Sequence, residues 1–286
     1  MLLEKIQKGL GKLTASAGTL LKVAVMSKGA SSQEASKEGR GIVIMGNGPS
    51  LRQTIDTDSE WLLSHDLMAV NFAANTPDFR QLRPGYYVLA DGHFFSGNQT
   101  DPNVRRLWNE LGNVNWKMTL WVPAKMLHFA KALVIGNDNI TLKTFNLTPL
   151  EGNKALVHRL IDAGLGMPRP RNVMIPAIMS AIREGYRKIW LCGADHTWTR
   201  TLSVDDENFV VSIQPHFYED NDKEHQRVRA AYAGLRLHDV LGSMTIAFRS
   251  YWDIADYAKS RGIEIINATP GSMIDAFPRR VAEGKE

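Results

Sequence analysis

The chain is nearly devoid of cysteine. Among 286 residues only Cys192 is present, so no intrachain disulfide can form and a cysteine-based zinc site is excluded. Long apolar runs are missing as well; no window approaches the ~18 apolar residues of a membrane span. Lys/Arg blocks and nucleic-acid motifs are absent, and the mild net charge of +4 comes from basic residues scattered among acids. That pattern argues against a nucleic-acid partner. HExxH, HxxxH, GxSxG, GxGxxG and Walker motifs do not occur either. Glu4, Lys5, Lys8 and Lys12 interrupt the early apolar residues and Lys22 splits the later run. The N-terminus therefore does not read as a secretory leader, and the expected place is the cytoplasm. The remaining composition, 44% hydrophobic and 22% charged, suits a soluble globular protein with a sizeable core.

Residues 1–40 stand apart from the rest. Leu2, Leu3, Ile6, Leu10 and Leu13 recur at helical spacing with Lys5, Lys8 and Lys12 between them. A helix over 1–27 of this kind suits peripheral contact with anionic lipid at the inner face of a membrane. It suits packing on the protein's own body or on a partner, such as a second copy, equally well. Residues 28–40, Lys-Gly-Ala-Ser-Ser-Gln-Glu-Ala-Ser-Lys-Glu-Gly-Arg, read as a flexible linker.

From residue 41 to 286 the pattern predicts a single Rossmann-like α/β domain: a mostly parallel sheet with helices on both faces. Short apolar runs predict strands over 41–46, 67–71, 86–90, 117–122, 140–145, 187–192 and 263–266. Helical periodicity covers 101–111, 123–133, 151–163, 173–185 and 244–261. The stretch 197–243 has no clear elements and is rich in Asp, His and aromatics, as active-site lids often are.

The segment Ile42–Leu51 carries the most information. Four apolar residues run into Gly46-Asn47-Gly48-Pro49-Ser50, a strand, a tight turn and a helix start. Gly46 and Gly48 permit positive φ and close ligand approach, and Pro49 suits a first helical turn. Unpaired N–H groups at such a junction can hold a phosphate. The other strands also end in polar groups: Asn71, then Asp91-Gly92-His93, then Gly193-Ala194-Asp195-His196, then Asn267 through Ser272. Ligands of doubly wound sheets gather at this edge. Asn47 and Asn71 can donate and accept. Asp91 and Asp195 suit a ribose, a metal or a helix cap. His93, His196, His216 and His238 fall in or beside the rim and are candidate bases. Asp220-Asn221-Asp222 matches a D-x-D pattern, or a solvated acidic loop.

The order Gly-Asn-Gly-Pro-Ser-Leu, Val-Asn-Phe, Gly-Tyr-Arg-Lys-Ile-Trp-Leu-Cys-Gly-Ala-Asp and Ile-Asn-Ala-Thr-Pro-Gly-Ser resembles the bacterial sialyltransferases of surface glycans. It is at least as similar to the MptE-like superfamily, which includes archaeal 6-hydroxymethylpterin diphosphokinases and the motility-associated factors linked to nonulosonic-acid transfer. The resemblance spans roughly residues 41–278. It implies a glycosyltransferase whose donor is a nucleotide-activated sugar, such as a CMP-nonulosonate, and whose acceptor is a glycan, with no further cofactor required. Asn47 and Ser50 would approach the nucleotide phosphate, and Asn71 the same donor. Gly193 and Asp195 would line the pocket floor, and Ser272 would sit in the closing loop. The family's base histidine falls in the segment that here holds His216 and His238, and its leaving-group tyrosines in the region of Tyr218 and Tyr232. Two alternatives stay open. One is an ATP-dependent diphosphokinase with Mg²⁺ on Asp91 and Asp195; the other is a nucleotide-sugar binding protein without turnover.

Overall fold

The computed structural model describes residues 2–37, 39–96, 100–211 and 234–280, with backbone alone over 2–8. The seven expected strands form one sheet, their ends shifted by no more than two residues. They are β1 (Ile42–Met45), β2 (Asp66–Val70), β3 (Tyr86–Val88), β4 (Met118–Pro123), β5 (Ile140–Phe145), β6 (Lys188–Cys192) and β9 (Glu264–Asn267). Their order is β5-β4-β3-β2-β1-β6-β9, and every pairing is parallel. A small antiparallel pair, β7 (Ser203–Val204) and β8 (Val210–Val211), lies apart from it.

Strands covered on both faces need apolar side chains in both directions, which is why β1 and β6 read as unbroken hydrophobic runs. Ile42 and Ile44 of β1 join Ile189 and Leu191 of β6 on one face, packed by the helices Lys154–Asp162, Met174–Arg183 and Leu237–Ser260. Val43, Met45, Trp190 and Cys192 join the opposite core, covered by the helices between β1 and β5. The helices change face because the chain reverses direction. It winds outward from β1 to β5, then returns to β6 on the other side of β1, and each right-handed crossover follows that direction. The β1–β6 boundary is therefore the topological switch point, where such sheets bind ligands.

Two expectations need correction. The 28–40 stretch is not free over its described part. Ser31 N–H donates to the Thr144 carbonyl at 3.1 Å, Glu34 N–H to Arg183 at 2.8 Å and Lys37 N–H to Gly185 at 2.9 Å. Small polar residues here leave the backbone exposed for pairing, so the segment runs along the body. The final long helix starts at Leu237 rather than 244. The Asp239 carboxylate accepts the Arg236 N–H at 3.0 Å and caps it, and Val240 and Met244 pack on Val210 of the small hairpin. Within 197–243, residues 212–233 lie outside the described part, and with them His216, Tyr218, Asp220-Asn221-Asp222 and Tyr232.

Candidate functional site

A cavity of about 490 Å³ opens at the switch point, within the ordinary range for small-molecule sites. The ends of four strands line it: Gly46, Asn47, Gly48 and Pro49 after β1, Val70 and Asn71 at β2, Ala90 and Asp91 after β3, and Gly193 with Asp195 through Trp198 after β6. The turn Pro170–Met174, entering the Met174–Arg183 helix, closes the other side. Asn71 (φ 50°), Gly193 (φ 63°) and His196 (φ 53°) are left-handed. Such backbone is disfavoured for most side chains and concentrates at functional sites.

The first glycine turn works differently from its sequence reading. Neither Gly46 nor Gly48 is among the positive-φ glycines. They are needed for close backbone approach: a Cβ on Gly46 would lie 2.5 Å from the Gly193 carbonyl oxygen, and one on Gly48 2.0 Å from Asp195 Oδ2. Their N–H groups are also taken. Gly46 donates to the Cys192 carbonyl and Gly48 to the Gly193 carbonyl, both at 2.8 Å. The start of the Ser50–Thr57 helix is closed in turn by Asp195, whose carboxylate accepts the Ser50 hydroxyl at 2.7 Å and the Ser50 N–H at 3.4 Å. A carboxylate thus stands where the turn was expected to receive a phosphate, and it complements the helix dipole there. Burial holds the Asp195 carboxyl above its ordinary pKa, partly offset by the Ser50 bonds.

His196 is buried and stacks on Trp198, with ring centroids 4.2 Å apart. Burial pushes its pKa down to about 3, so it is neutral at physiological pH. Its Nε2 meets the Tyr251 hydroxyl at 2.6 Å, and that hydroxyl donates to Asn172 Oδ1 at 2.9 Å. With the tyrosine proton committed, the histidine must donate from Nε2. Asn172 Oδ1 also accepts the Met174 N–H at 3.0 Å. Two donors on one oxygen fix the amide's orientation and leave Nδ2 without a partner among the described residues. Asn47 is the counterpart. Its Nδ2 donates to the Val70 carbonyl at 3.3 Å, and its Oδ1 has no partner among the described residues. Two residues of the cavity wall thus carry one oriented amide donor and one oriented amide acceptor, each unsatisfied among the described residues and closed off from solvent.

Of the residues expected to bind ligand, Gly46, Asn47, Gly48, Asn71, Asp91, Gly193 and Asp195 line the cavity. Ser50 is turned to Asp195. Asp91 caps the short helix that follows it, accepting the His93 N–H at 2.9 Å. Ser272 is buried away from the lining; its hydroxyl donates to the Ala194 carbonyl at 2.7 Å. The whole closing loop acts as a brace, because Thr269 also ties into β6 through the Leu191 carbonyl and the Ala194 N–H. His238 does not line the cavity; its side chain is 81% exposed beside Asp239. The signal that sequence reading passed over is Pro170-Arg171-Asn172. An Asn two residues before a helix can bond its first N–H groups and be locked by doing so.

No protein-family model matches the chain, and no curated protein matches it. A solved structure similar to it is that of the MAf glycosyltransferase from Magnetospirillum magneticum AMB-1. The two are 11% identical with a TM-score of 0.49, over 94% of this chain and 38% of that one. The chain therefore spans well under half the length of that protein.

Proposed function

We propose that this chain is a glycosyltransferase-like enzyme of the kind its motifs resemble, with a nucleotide-activated sugar, a CMP-linked nonulosonic type, as donor and a surface glycan as acceptor. The observation that carries the reading is the pair of oriented, unsatisfied amides, Asn47 and Asn172, in the wall of a cavity at the switch point. A buried polar atom without a partner costs roughly 1–3 kcal/mol; a ligand that displaces the groups covering these atoms and presents an acceptor to one and a donor to the other recovers that cost. Nucleobase edges and sugar hydroxyls have this mixed character. Arg171, also in the lining, supplies positive charge for a donor phosphate.

Among the described residues, the group best suited to take the acceptor's proton is Asp195, because a carboxyl with a raised pKa is the stronger base. His196 is unsuited, because burial pushes its pKa down to about 3 and makes it a weak base. The diphosphokinase alternative draws on one observation: Asp91 and Asp195 share the cavity. Each already accepts a backbone N–H, so Mg²⁺ would have to share those oxygens.

Thermal shift with CMP, CDP, UDP, GDP and ATP, each with and without Mg²⁺, tests the reading. A ligand at ~100 times its Kd stabilises the fold by about 2.7 kcal/mol. Stabilisation by CMP without Mg²⁺, lost in Asn47→Ala, is the expected result. Stabilisation by ATP with Mg²⁺ alone would favour the diphosphokinase. Binding of a nucleotide sugar with no transfer to any glycan acceptor would leave a binding protein.

A further inference from the structure

The helix Leu2–Met26 carries an apolar face that the body leaves uncovered over residues 9–26. At 100° per residue, Leu2, Leu3, Ile6, Leu10, Leu13, Ala17, Leu20, Leu21, Ala24 and Val25 fall within an arc of about 140° along its whole length. Such a face is usually the one buried. Here it points outward: Leu13 is 71% exposed, Leu21 68% and Val25 74%, with Leu10 and Leu20 also exposed. The helix rests instead on Val23, which packs against the core, and on small and polar residues. Thr19 is fully buried and its hydroxyl donates to the Glu151 carbonyl at 2.8 Å, while Ser16 accepts the Asn153 N–H at 2.9 Å. Gly152 lies so close that a Cβ there would sit 2.4 Å from Ser16 Oγ. Just past the helix, Ser27 bonds the Leu165 carbonyl and meets Thr148 at 2.9 Å.

We propose that this face docks the protein on an anionic lipid bilayer. The helix's charge selects that occupant. Lys5, Lys8 and Lys12 stand against Glu4, while Lys22 is turned to Glu151 of the body at 3.4 Å, and basic residues on the polar face with leucines opposite are the pattern of helices lying in a membrane interface. No described helix is long and apolar enough to cross a membrane, so the helix lies on the surface rather than spanning it. A second copy fits less well. Leu3, Ile6, Leu10, Leu13, Ala17, Leu20 and Ala24 follow a coiled-coil spacing, but pairing along that seam leaves Leu21 and Val25 in water, whereas a bilayer covers the full arc. The docked helix sits on the loop after β5, at the same sheet edge as the cavity, whose lining includes Leu147. This inference stands independently of the proposed chemistry.

Sedimentation of the full chain with vesicles tests it. The chain should bind phosphatidylcholine vesicles rich in phosphatidylglycerol, less so pure phosphatidylcholine, with affinity falling as salt rises. Leu13→Ser with Leu21→Ser should weaken binding roughly a hundredfold with melting and circular dichroism unchanged, since both side chains are exposed. Lys5→Gln, Lys8→Gln and Lys12→Gln together should weaken binding to the anionic vesicles only. Failure of the folded chain to sediment with anionic vesicles overturns the proposal. So does a dimer, insensitive to vesicles, that the leucine substitutions dissociate.

Discussion

Gly46 and Gly193 press backbone against backbone where β1 and β6 end. A Cβ on Gly46 would lie 2.5 Å from the Gly193 oxygen, and one on Gly193 2.4 Å from the Gly46 oxygen. Neither obstacle is a side chain that can swing away, so Gly46→Ala must part the two strand ends. We expect a loss of roughly 2–3 kcal/mol, read as a lower urea midpoint with an unchanged slope. Ala substituted at Gly92, which has nothing within 4 Å of the added carbon, should leave the midpoint nearly unaltered.

The sheet was legible because strands buried on both faces leave continuous apolar runs, and β1, β2 and β6 have few other readings. The position of the cavity followed from reading the residue past each strand. What each residue does there was not legible. The Gly46–Gly48 N–H groups are consumed by carbonyls at the end of β6, and Ser50 by Asp195, contacts across some 145 residues of chain that no local pattern encodes. The place of Asn172 two residues before a helix was legible, but the tyrosine that completes its orientation is 79 residues away.

The 28–37 stretch offers a test of how a polar segment is held. Glu184 is nearly buried and accepts the Trp121 Nε1–H at 2.9 Å, with Lys143 at 3.0 Å and Lys37 at 3.6 Å. Lys143 also holds Glu34 at 2.8 Å. Glu184→Ala would strand the Trp121 indole N–H and take one carboxylate from both lysines, leaving Lys143 with Glu34 and Lys37 with the Tyr86 hydroxyl, which should cost roughly 1–3 kcal/mol. Its specific signature is earlier proteolytic cleavage within 28–37 than elsewhere. Cleavage starting uniformly along the chain would show that the charge cluster does not fasten this segment.

His196 should make the fold acid-sensitive. In the unfolded chain its imidazole gains a proton as pH falls through about 6.5; in the fold burial delays that to about 3. Across that window the unfolded state binds the extra proton, so stability falls with pH by up to about 1.4 kcal/mol per unit. Asp195 acts oppositely, because its raised pKa lets the fold take a proton before the unfolded chain does. Comparison with His196→Gln cancels that term. The variant can still donate to Tyr251, and near pH ~5 it should have lost about 2 kcal/mol less than the parent relative to pH ~7. Parallel curves of stability against pH for the two proteins would count against a neutral buried imidazole.

Tyr251 should govern ligand affinity without touching the ligand. Its hydroxyl donates to Asn172 Oδ1 and receives His196; among the described residues, it and the Met174 N–H fix which way the Asn172 amide points. Tyr251→Phe removes one of those two donors and leaves the His196 N–H buried without an acceptor, a cost of roughly 1–3 kcal/mol in stability. The oriented donor at Nδ2 would then be lost part of the time, and affinity for whichever nucleotide stabilises the parent should drop about tenfold. Tyr257→Phe separates that effect from simple destabilisation. Tyr257 donates to Asp162 at 2.8 Å, and neither residue lines the cavity, so this variant should melt earlier yet bind as the parent does. Equal affinities in the parent and both variants would mean that Asn172 is not held for the ligand, and that its unsatisfied amide serves something other than recognition.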